Sequence, residues 1–300
     1  LNNSFIIDII NYKKENNSNL NLKVDGVKFI DKNIVFNSIS LNDQKNNIEI
    51  KDLIVDNNFK IEKFEKIKLD YFDFENLRNQ LNIDKKKNSY FVYGQSFNSN
   101  KLIDHLIDTK NNNNLNLFKN NFKVDLKIDE VFVDSTHSVK SLEGKFTVDK
   151  NEIIDADIKG NFSNNEKFFF TVKSEVNEKV TTLFLDRAEP IVKRYKFIKG
   201  FENGKLDFYS LKKGKVSTST LKIYDFKLKK LPTLTKILTL ASLQGIADIL
   251  SGEGIRFEEF EMNFQNDADL MNINEIYAIG PAISVLMEGY VEKNKLISLR

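Results

Sequence analysis

The sequence of 300 residues lacks cysteine and tryptophan, and it has only 3 prolines, 12 glycines and 2 histidines. Without cysteine the chain can form no disulfide bond, no thiolate metal site and no cysteine nucleophile. An excess of one charge sign is also lacking, because 45 Lys and Arg residues nearly balance 43 Asp and Glu residues. The net charge of +2 therefore gives no support for nucleic acid as a partner.

Long hydrophobic runs are missing as well. A transmembrane helix needs about 20 consecutive apolar residues, but the most apolar stretch, residues 231–250, contains Lys236, Gln244 and Asp248. A signal peptide would need a basic start and a cleavage site of small residues, and the sequence has neither. The chain begins at Leu1 without Met and ends at Arg300 within a strand-like pattern. We therefore expect a fragment truncated at both ends, with any membrane anchor outside it.

The hydrophobic residues make up 41% of the chain, enough for a real core, and they recur mainly with a period of two. In two consecutive runs, residues 154–162 and 168–176, apolar side chains alternate with polar ones, and a short polar turn separates the runs. Such alternation is typical of strands with one apolar and one wet face, joined as an antiparallel hairpin. Similar runs recur along the chain at 20–24, 48–55, 122–128, 130–133, 144–148, 205–209, 218–225, 257–264, 270–276, 283–290 and 296–299. The sequence therefore predicts a mainly β, antiparallel fold.

Few helices are expected. Pro232 fits the first turn of a helix that runs to about residue 250, where Ser251 and Gly252 would end it. A second helix is predicted over residues 181–193, and weaker patterns favour helices over 72–82 and 101–108.

Motifs for catalysis, metals and nucleotides are missing from the sequence. His105 and His137 have no partner at the spacing of metal ligands, and no nucleophile elbow or zinc-protease motif occurs. The segment GFENGKL at 200–206 is one residue short of a phosphate-binding loop and has Leu206 where such a loop needs Ser or Thr. We therefore expect a protein that is not an enzyme and has neither metal nor cofactor.

The predicted strands present more apolar faces than the few helices can cover. Such faces must be covered by another sheet, by closure into a barrel, or by something other than protein. The third possibility predicts a long curved sheet that forms an open apolar groove. Its candidate lining comes from the hairpin: Ile154, Ala156, Ile158, Phe162, Phe168, Phe170 and Val172. An ordinary sandwich core would use the same residues.

The C-terminal half contains a long motif, LPTLTKILTLASLQGIADILSGEGIRF, at residues 231–257. It resembles the C-terminal region of the bacterial AsmA-like family, in particular its YhdP-like branch, which is related to TamB-type intermembrane lipid-transport proteins. The resemblance extends over residues 131–300, whereas residues 1–121 are similar only in composition. We accordingly divide the chain into a β-rich segment, 1–120, and an AsmA-like region, 121–300. The motif positions are Pro232, Leu234, Leu238, Ala241, Ser242, Leu243, Gly245, Leu250, Ser251, Gly252, Gly254 and Phe257.

The resemblance implies a periplasmic protein, anchored in the inner membrane, that carries phospholipid to the outer membrane and supports its barrier. It also implies a taco-like β-groove whose apolar lining holds acyl chains. The helix at 232–250 would plug the groove end or contact a membrane, and protein partners are not predicted. The main alternative is an envelope scaffold for outer-membrane protein assembly, with a closed β-sandwich core and no bound lipid. An adhesin or carbohydrate-binding sandwich is a weaker alternative.

Overall fold

The computed structural model describes residues 5–14, 19–107, 120–149, 152–163, 165–194, 200–229, 254–267, 270–292 and 297–300. Most of these residues lie in strands, and the helices among them are short. The chain forms two compact units, Leu1–Ser163 and Asn164–Arg300, which we call unit 1 and unit 2.

Unit 1 contains thirteen described strands, one 3₁₀ turn at Asp8–Ile10 and the helix α1 at Asn100–Ile107. The strands are β1 (Phe5–Ile7), β2 (Tyr12–Lys14), β3 (Asn21–Asp25), β4 (Lys28–Ile30), β5 (Asn33–Asn42), β6 (Asn47–Asp56), β7 (Ile61–Lys63), β8 (Lys66–Phe72), β9 (Arg78–Lys86), β10 (Ser89–Asn98), β11 (Phe122–Phe132), β12 (Ser138–Asp149) and β13 (Glu152–Asn161).

The sheet of unit 1 is almost wholly antiparallel. Strands β3 and β4 both pair with β5, β5 pairs with β6, and β6 pairs with β7 and β8. Pairing then continues in order from β8 to β13. The pair β10–β11 is parallel, because a crossover that includes α1 joins the two strands. Among the described residues of this unit, β13 does not pair with β3.

Unit 2 is an antiparallel meander in which each strand pairs with the next. The short helix α2 (Glu189–Val192) lies between β15 and β16. The strands are β14 (Lys167–Ser174), β15 (Glu178–Leu185), β16 (Phe201–Lys213), β17 (Val216–Leu228), β18 (Ile255–Asn266), β19 (Leu270–Ile279), β20 (Ser284–Glu292) and β21 (Ile297–Leu299).

Short loops set the registers of these hairpins. Strands β16 and β17 are joined by Gly214 and Lys215 alone, and Lys213 pairs with Val216 across the turn. The φ of Gly214 is +60°, a backbone conformation that two-residue hairpin turns require and that glycine adopts without strain. The turn thereby fixes nine successive cross-strand pairs, from Lys213–Val216 to Lys205–Tyr224, between β16 and β17.

The mainly β prediction is confirmed, and each predicted strand run overlaps a described strand, although the runs 122–128 and 130–133 form the single strand β11 and no run was predicted for β5, β8, β9 or β10. The helix predicted over 181–193 is wrong for most of its length, since residues 181–185 belong to β15 and only Glu189–Val192 is helical. Two threonines begin this run, and pairing with β14 and β16 outweighs the weak helical pattern. The helix over 72–82 is also wrong, because β8 ends there and β9 begins, whereas α1 confirms the helix near 101–108. The predicted helix 232–250 lies outside the described residues.

Each unit has its own core. In unit 1 a buried cluster joins Tyr12 and Leu20 to one face of the sheet. Its sheet members are Leu41, Ile48, Leu69, Tyr71, Leu81, Ile128 and Val131. In unit 2 the largest buried side chains include Leu185, Phe201 and Ile255. None of the helices in the described part of the chain has the length and apolar character needed to cross a membrane.

Candidate functional site

A row of aliphatic side chains, interrupted at Gly144, crosses the sheet of unit 1. Each member lies directly opposite the next on the neighbouring strand, so all members share one face. We call this set row 1; from β5 to β13 it consists of Ile39, Ile50, Ile67, Ile83, Val92, Leu126, Gly144 and Ile158. With strands about 4.8 Å apart, eight strands give row 1 a length of about 34 Å.

Row 1 is half-exposed, whereas its neighbours on the same face are more deeply buried. Every side chain of row 1 is in the intermediate range of exposure. Two residues along the strands, Leu41, Ile48, Leu69, Leu81 and Ile128 are only 4–7% exposed. Two residues in the other direction, Val124 is 6% exposed and Ala156 is fully buried. Row 1 is therefore less buried than the side that contains Leu41, Leu69 and Ile128, and on the other side it is less buried than Val124 and Ala156.

The N-terminal segment, residues 5–14, closes one side of row 1. The ring of Tyr12 packs edge-on against the ring of Tyr71 of β8, with centroids 5.6 Å apart. The Tyr71 hydroxyl donates a 2.6 Å hydrogen bond to the carbonyl of Ile10, and the N–H of Phe74 donates a 2.9 Å bond to the carbonyl of Asn11. These contacts hold the segment over the buried side of the apolar face.

The two tyrosines of this contact are buried, and burial shifts the pKa of each hydroxyl. Burial, with a smaller contribution from the charge of Asp43, raises the pKa of Tyr12 to about 12. Burial and the charge of Asp73 raise the pKa of Tyr71 even further. Both hydroxyls therefore stay protonated at any physiological pH, and the Tyr71 hydroxyl remains a hydrogen-bond donor.

Unit 2 has a second row of the same kind. We call it row 2; from β14 to β20 it consists of Phe170, Leu183, Phe208, Leu221, Met262, Ile276 and Met287. All of its members except Ile276 are half-exposed, and seven strands give row 2 a length of about 29 Å. On β15, β16 and β17, the residues two positions away from row 2 on the same face are Leu185, Leu206 and Ile223. They are at most 4% exposed and belong to the core of the unit.

The opposite faces of both sheets carry ion pairs. In unit 1, Lys159 lies 3.1 Å from Glu143 across β12 and β13. In unit 2, Lys222 lies 2.6 Å from Glu261, which also accepts a 2.9 Å hydrogen bond from the hydroxyl of Tyr277. These donors, led by Lys222, hold the pKa of Glu261 below its usual value. The face opposite row 1 thus carries paired charges, and the face opposite row 2 combines paired charges with exposed apolar side chains, among them Phe169, Tyr209 and Leu286.

The predicted groove residues fall into different positions on these faces. Ile158 belongs to row 1, and Ala156 lies buried beside it. Ile154 occupies a bulge, because Val148 pairs with Ile153 and Thr147 pairs with Asp155, and Phe162 follows the end of β13 and is half-buried.

In unit 2, Phe170 begins row 2, with Phe168 and Val172 on either side of it along β14. Val172 is buried, whereas Phe168 is half-exposed. The structure thus brings together Ala156 and Ile158 in unit 1, and Phe168, Phe170 and Val172 in unit 2.

Most of the motif at 231–257 lies outside the described residues. Gly254 and Phe257 are described: Gly254 precedes β18 with φ of +83°, and a side chain there would lie 2.9 Å from the carbonyl of Leu228. Phe257 is buried, and its ring stacks on Phe226, which in turn stacks on Phe201. Both positions thus have structural roles at the start of β18. The motif positions outside the described residues are Pro232, Leu234, Leu238, Ala241, Ser242, Leu243, Gly245, Leu250, Ser251 and Gly252.

The polar clusters described next form hydrogen bonds that hold loops and strand ends in place. In the β11–β12 loop, Asp134 accepts 2.7 Å hydrogen bonds from the N–H groups of Thr136 and His137, and its carboxylate lies 2.8 Å from Nδ1 of His137. A buried network joins Asn79 and Asn98 to the carboxylate of Asp73. No group of three or more metal-ligating side chains occurs within the described ranges.

The comparisons with known proteins found no match: no family model, no curated protein and no solved structure is similar to this chain.

Row 1 residues outside the hairpin 154–176 were missed by the sequence analysis. Ile39, Ile67 and Ile83 sit in short alternating runs that are visible in the sequence. Their alignment into one row depends on strand register, which alternation alone does not fix. The parallel pairing of β10 with β11 depends on a crossover whose direction the sequence does not indicate.

Proposed function

We propose that the apolar faces carrying row 1 and row 2 bind the acyl chains of phospholipids, and that the protein carries phospholipid between the inner and outer membranes of a bacterial envelope without catalysing a reaction. The observation that carries this proposal is the partial exposure of the apolar side chains in two long rows, of which only Ile276 is buried. Ile67, Ile83 and Val92 of row 1 pack on one side against the core of unit 1 and are only partly covered by protein, so a hydrocarbon ligand is able to cover the rest. Acyl chains match it because the rows offer hydrocarbon and no hydrogen-bonding pattern.

The energetics favour a hydrocarbon occupant. Each methylene group removed from water contributes about 0.8 kcal/mol, so a diacyl lipid with about thirty methylenes faces a barrier on the order of 25 kcal/mol in crossing water. A hydrocarbon bilayer core is about 30 Å thick, so one acyl chain spans about 15 Å. A row of about 34 Å or about 29 Å exceeds that span. Either row can therefore cover the whole length of one chain.

The resemblance of residues 231–257 to the AsmA-like family supports the same function. On this basis we propose a periplasmic location and an inner-membrane anchor in the full-length protein. We also propose that residues 232–250 contact a membrane, with Leu240 and Leu243 widening the apolar side of that segment. Replacing both leucines with Asp is expected to abolish binding to phospholipid vesicles, and unchanged binding would contradict the membrane contact.

Native mass spectrometry with lipid extraction tests the acyl-chain proposal. The protein, expressed in bacteria, is expected to copurify with phospholipid, and the double variant Ile158→Asp/Phe170→Asp is expected to lose it. These residues belong to row 1 and row 2, where a buried carboxylate opposes hydrocarbon. The control variant Lys159→Asp/Lys173→Asp carries the same new groups on the opposite faces and is expected to keep the lipid. Circular dichroism checks that both variants retain their strands.

The scaffold alternative has one observation in its favour, the coverage of one side of row 1 by residues 5–14. If the purified protein is free of lipid, and the Ile158→Asp/Phe170→Asp variant loses stability without losing any ligand, the rows are ordinary core and the scaffold function is supported.

A further inference from the structure

The outer face of unit 1, opposite row 1, contains a cavity of about 350 Å³ over β8, β9 and β10. The polar and aromatic side chains that line it are Lys68, Asp70, Gln80, Asn82, Tyr93 and Gln95. Lys68 lies opposite Asn82, which in turn lies opposite Tyr93, and Asp70 lies opposite Gln80. These five side chains therefore share the face that points away from row 1. The cavity is thus separate from the apolar surface of the proposed function.

A β-bulge in β10 places Gln95 in the lining of this cavity. Gln95 is the extra residue at a register shift between Gly94 and Ser96. The two backbones approach closely there, since a Cβ atom on Gly94 would lie 2.0 Å from the carbonyl oxygen of Gln80. Just beyond the bulge, the hydroxyl of Ser96 donates a 2.6 Å hydrogen bond to the carbonyl of Arg78. The close approach and this bond hold the bulge, and with it Gln95, against β9.

Three side-chain amides supply most of the hydrogen-bonding groups of the cavity. Gln80, Asn82 and Gln95 each present a carbonyl acceptor beside an NH₂ donor. Within the part of the chain that the structure describes, none of the three amides is engaged in a side-chain hydrogen bond. Gln95 is exposed and the other two are half-exposed. Because a hydroxyl group also donates and accepts, neighbouring amides of this kind match a ligand with several adjacent hydroxyl groups.

The ring of Tyr93 gives the cavity an apolar wall. It stacks on the ring of Phe91, with centroids 4.9 Å apart and planes inclined by 19°. The Tyr93 hydroxyl donates a 2.7 Å hydrogen bond to Asp84. These two contacts fix the orientation of the ring, and the part of it that lines the cavity is available to a ligand. A sugar ring has a face of C–H groups that packs against such an aromatic surface.

The charges at the cavity favour a neutral ligand. Lys68 and Asp70 both line it, so one charge of each sign is present. The carboxylate of Asp70 also lies 2.5 Å from the guanidinium of Arg78. An anionic ligand would meet the carboxylate of Asp70, and a cationic ligand would meet the ammonium group of Lys68. Neither charge sign is therefore selected.

We infer that this cavity binds a neutral saccharide, with one sugar ring packed against Tyr93 and its hydroxyl groups hydrogen-bonded to Gln80, Asn82 and Gln95. The inference goes beyond the proposed function and does not depend on it, because row 1 lies on the other face of the same strands. The volume of the cavity is at the lower end of the range of small-molecule sites, about 300–1,000 Å³. It suits one or two sugar rings.

Saturation-transfer difference NMR tests this site, because the method detects weak binding of small sugars. The probes are the neutral disaccharides maltose, cellobiose and N,N′-diacetylchitobiose, with glucuronic acid as an anionic sugar. At least one of the disaccharides is expected to bind to the wild-type protein with a Kd on the order of 1 mM, and more tightly than glucuronic acid. Added salt is expected to leave this binding unchanged, since the ligand carries no charge.

Two variants remove the proposed contacts. Gln80→Ala/Gln95→Ala is expected to raise the Kd for the bound disaccharide about tenfold, because two hydrogen-bonding groups are lost. Tyr93→Ala is expected to raise it at least as much, whereas Tyr93→Phe keeps the ring and is expected to keep the wild-type Kd. Circular dichroism checks that each variant retains its strands.

Matched control variants remove the same groups elsewhere on the surface. Gln44→Ala/Gln265→Ala deletes two exposed amides, and Tyr209→Ala deletes an exposed ring of unit 2. Both are expected to bind the disaccharide as the wild type does. Equal weakening by the control and the cavity variants would overturn the site.

The remaining outcomes also decide the inference. If none of the three disaccharides binds to the wild type, the saccharide site is wrong. If a disaccharide binds with a Kd that Gln80→Ala/Gln95→Ala and Tyr93→Ala leave unchanged, the sugar occupies another place and this cavity is not its site. If glucuronic acid binds and the neutral sugars do not, the cavity is an anion site. The phospholipid content of the purified protein is expected to be the same in all these variants, so failure of this site leaves the acyl-chain proposal standing.

Discussion

The hydroxyl of Tyr71 donates a 2.6 Å hydrogen bond to the carbonyl of Ile10, although 61 residues separate them in the sequence. Tyr71 is fully buried in β8, and its ring also packs against Tyr12. Residues 5–14 are thereby held on the apolar face of unit 1, beside row 1. The boundary between the covered and half-exposed parts of that face depends on this contact.

Replacing Tyr71 with Phe removes the hydroxyl and leaves the carbonyl of Ile10 without this donor. We expect a loss of about 1–2 kcal/mol in the free energy of unfolding, because a buried acceptor loses its partner. Urea unfolding followed by circular dichroism measures this change. The control Tyr93→Phe removes a hydroxyl that donates a 2.7 Å bond to Asp84 on the half-exposed outer face, and we expect a change of about 0.5 kcal/mol. Equal losses in the two variants would contradict the structural role of the Tyr71 contact.

Variants of Leu183 and Leu185 test the proposed lipid binding separately from stability. They lie two residues apart on the same face of β15, and Leu183 is half-exposed in row 2 whereas Leu185 is fully buried. Leu185→Ala is expected to cost about 3 kcal/mol in the free energy of unfolding, since it leaves a cavity; if the proposed function is correct, this variant keeps the phospholipid that copurifies with the wild type. Leu183→Ala is expected to cost about 1 kcal/mol and to lower the amount of phospholipid per protein molecule. Urea unfolding and lipid extraction measure the two effects, and the reverse assignment would contradict row 2 as a binding surface.

Local alternation predicted the strands well. The runs at 205–209 and 218–225 lie within β16 and β17, whose thirteen residues each extend beyond the predicted bounds. The error at 181–185 shows the limit of local pattern, because Thr181 and Leu185 occupy β15 through pairing with strands on both sides. Such pairing is a tertiary effect that a helical spacing of apolar residues does not reveal.

The candidate site was predicted less completely than the strands. Alternation placed Ile158 and Phe170 on the apolar faces of their strands, but it could not show that Ile83 lies opposite Val92 or that Leu183 lies opposite Phe208. Those relationships depend on register, and a shift by one residue would move each side chain to the other face. Hairpin turns and bulges fix the register, and their conformations are set by the folded chain.

Gly144 is predicted to be essential for the pairing of β12 with β13. Its φ is +149°, and a Cβ atom there would lie 2.1 Å from the carbonyl oxygen of Asp157. Gly144→Ala is therefore expected to lower the free energy of unfolding by about 3 kcal/mol, since either the backbone of β13 or the register must shift. The control Gly214→Ala has a positive φ but no heavy atom within 4 Å of the new Cβ, so backbone strain alone is expected to cost about 1 kcal/mol. Urea unfolding of both variants separates the clash from the strain, and equal costs would contradict the close approach.

Asp134 links the stability of unit 1 to pH. Burial alone would raise the pKa of this carboxyl, but hydrogen bonds from the N–H groups of Thr136 and His137 and from the His137 ring outweigh it and hold the pKa below its usual value. A carboxyl whose pKa is lower in the folded state stabilises that state above its unfolded pKa of about 4. This contribution is lost as the pH falls through the folded pKa. Asp134→Asn is expected to lower the free energy of unfolding at pH 7 by about 1–2 kcal/mol, and the difference from wild type is expected to vanish in the acid range below that pKa.

Urea unfolding at a series of pH values measures the free energy of unfolding of wild type and Asp134→Asn as a function of pH. Curves that stay parallel down to the acid limit would show that the ionisation of Asp134 does not contribute to the stability of the β11–β12 loop.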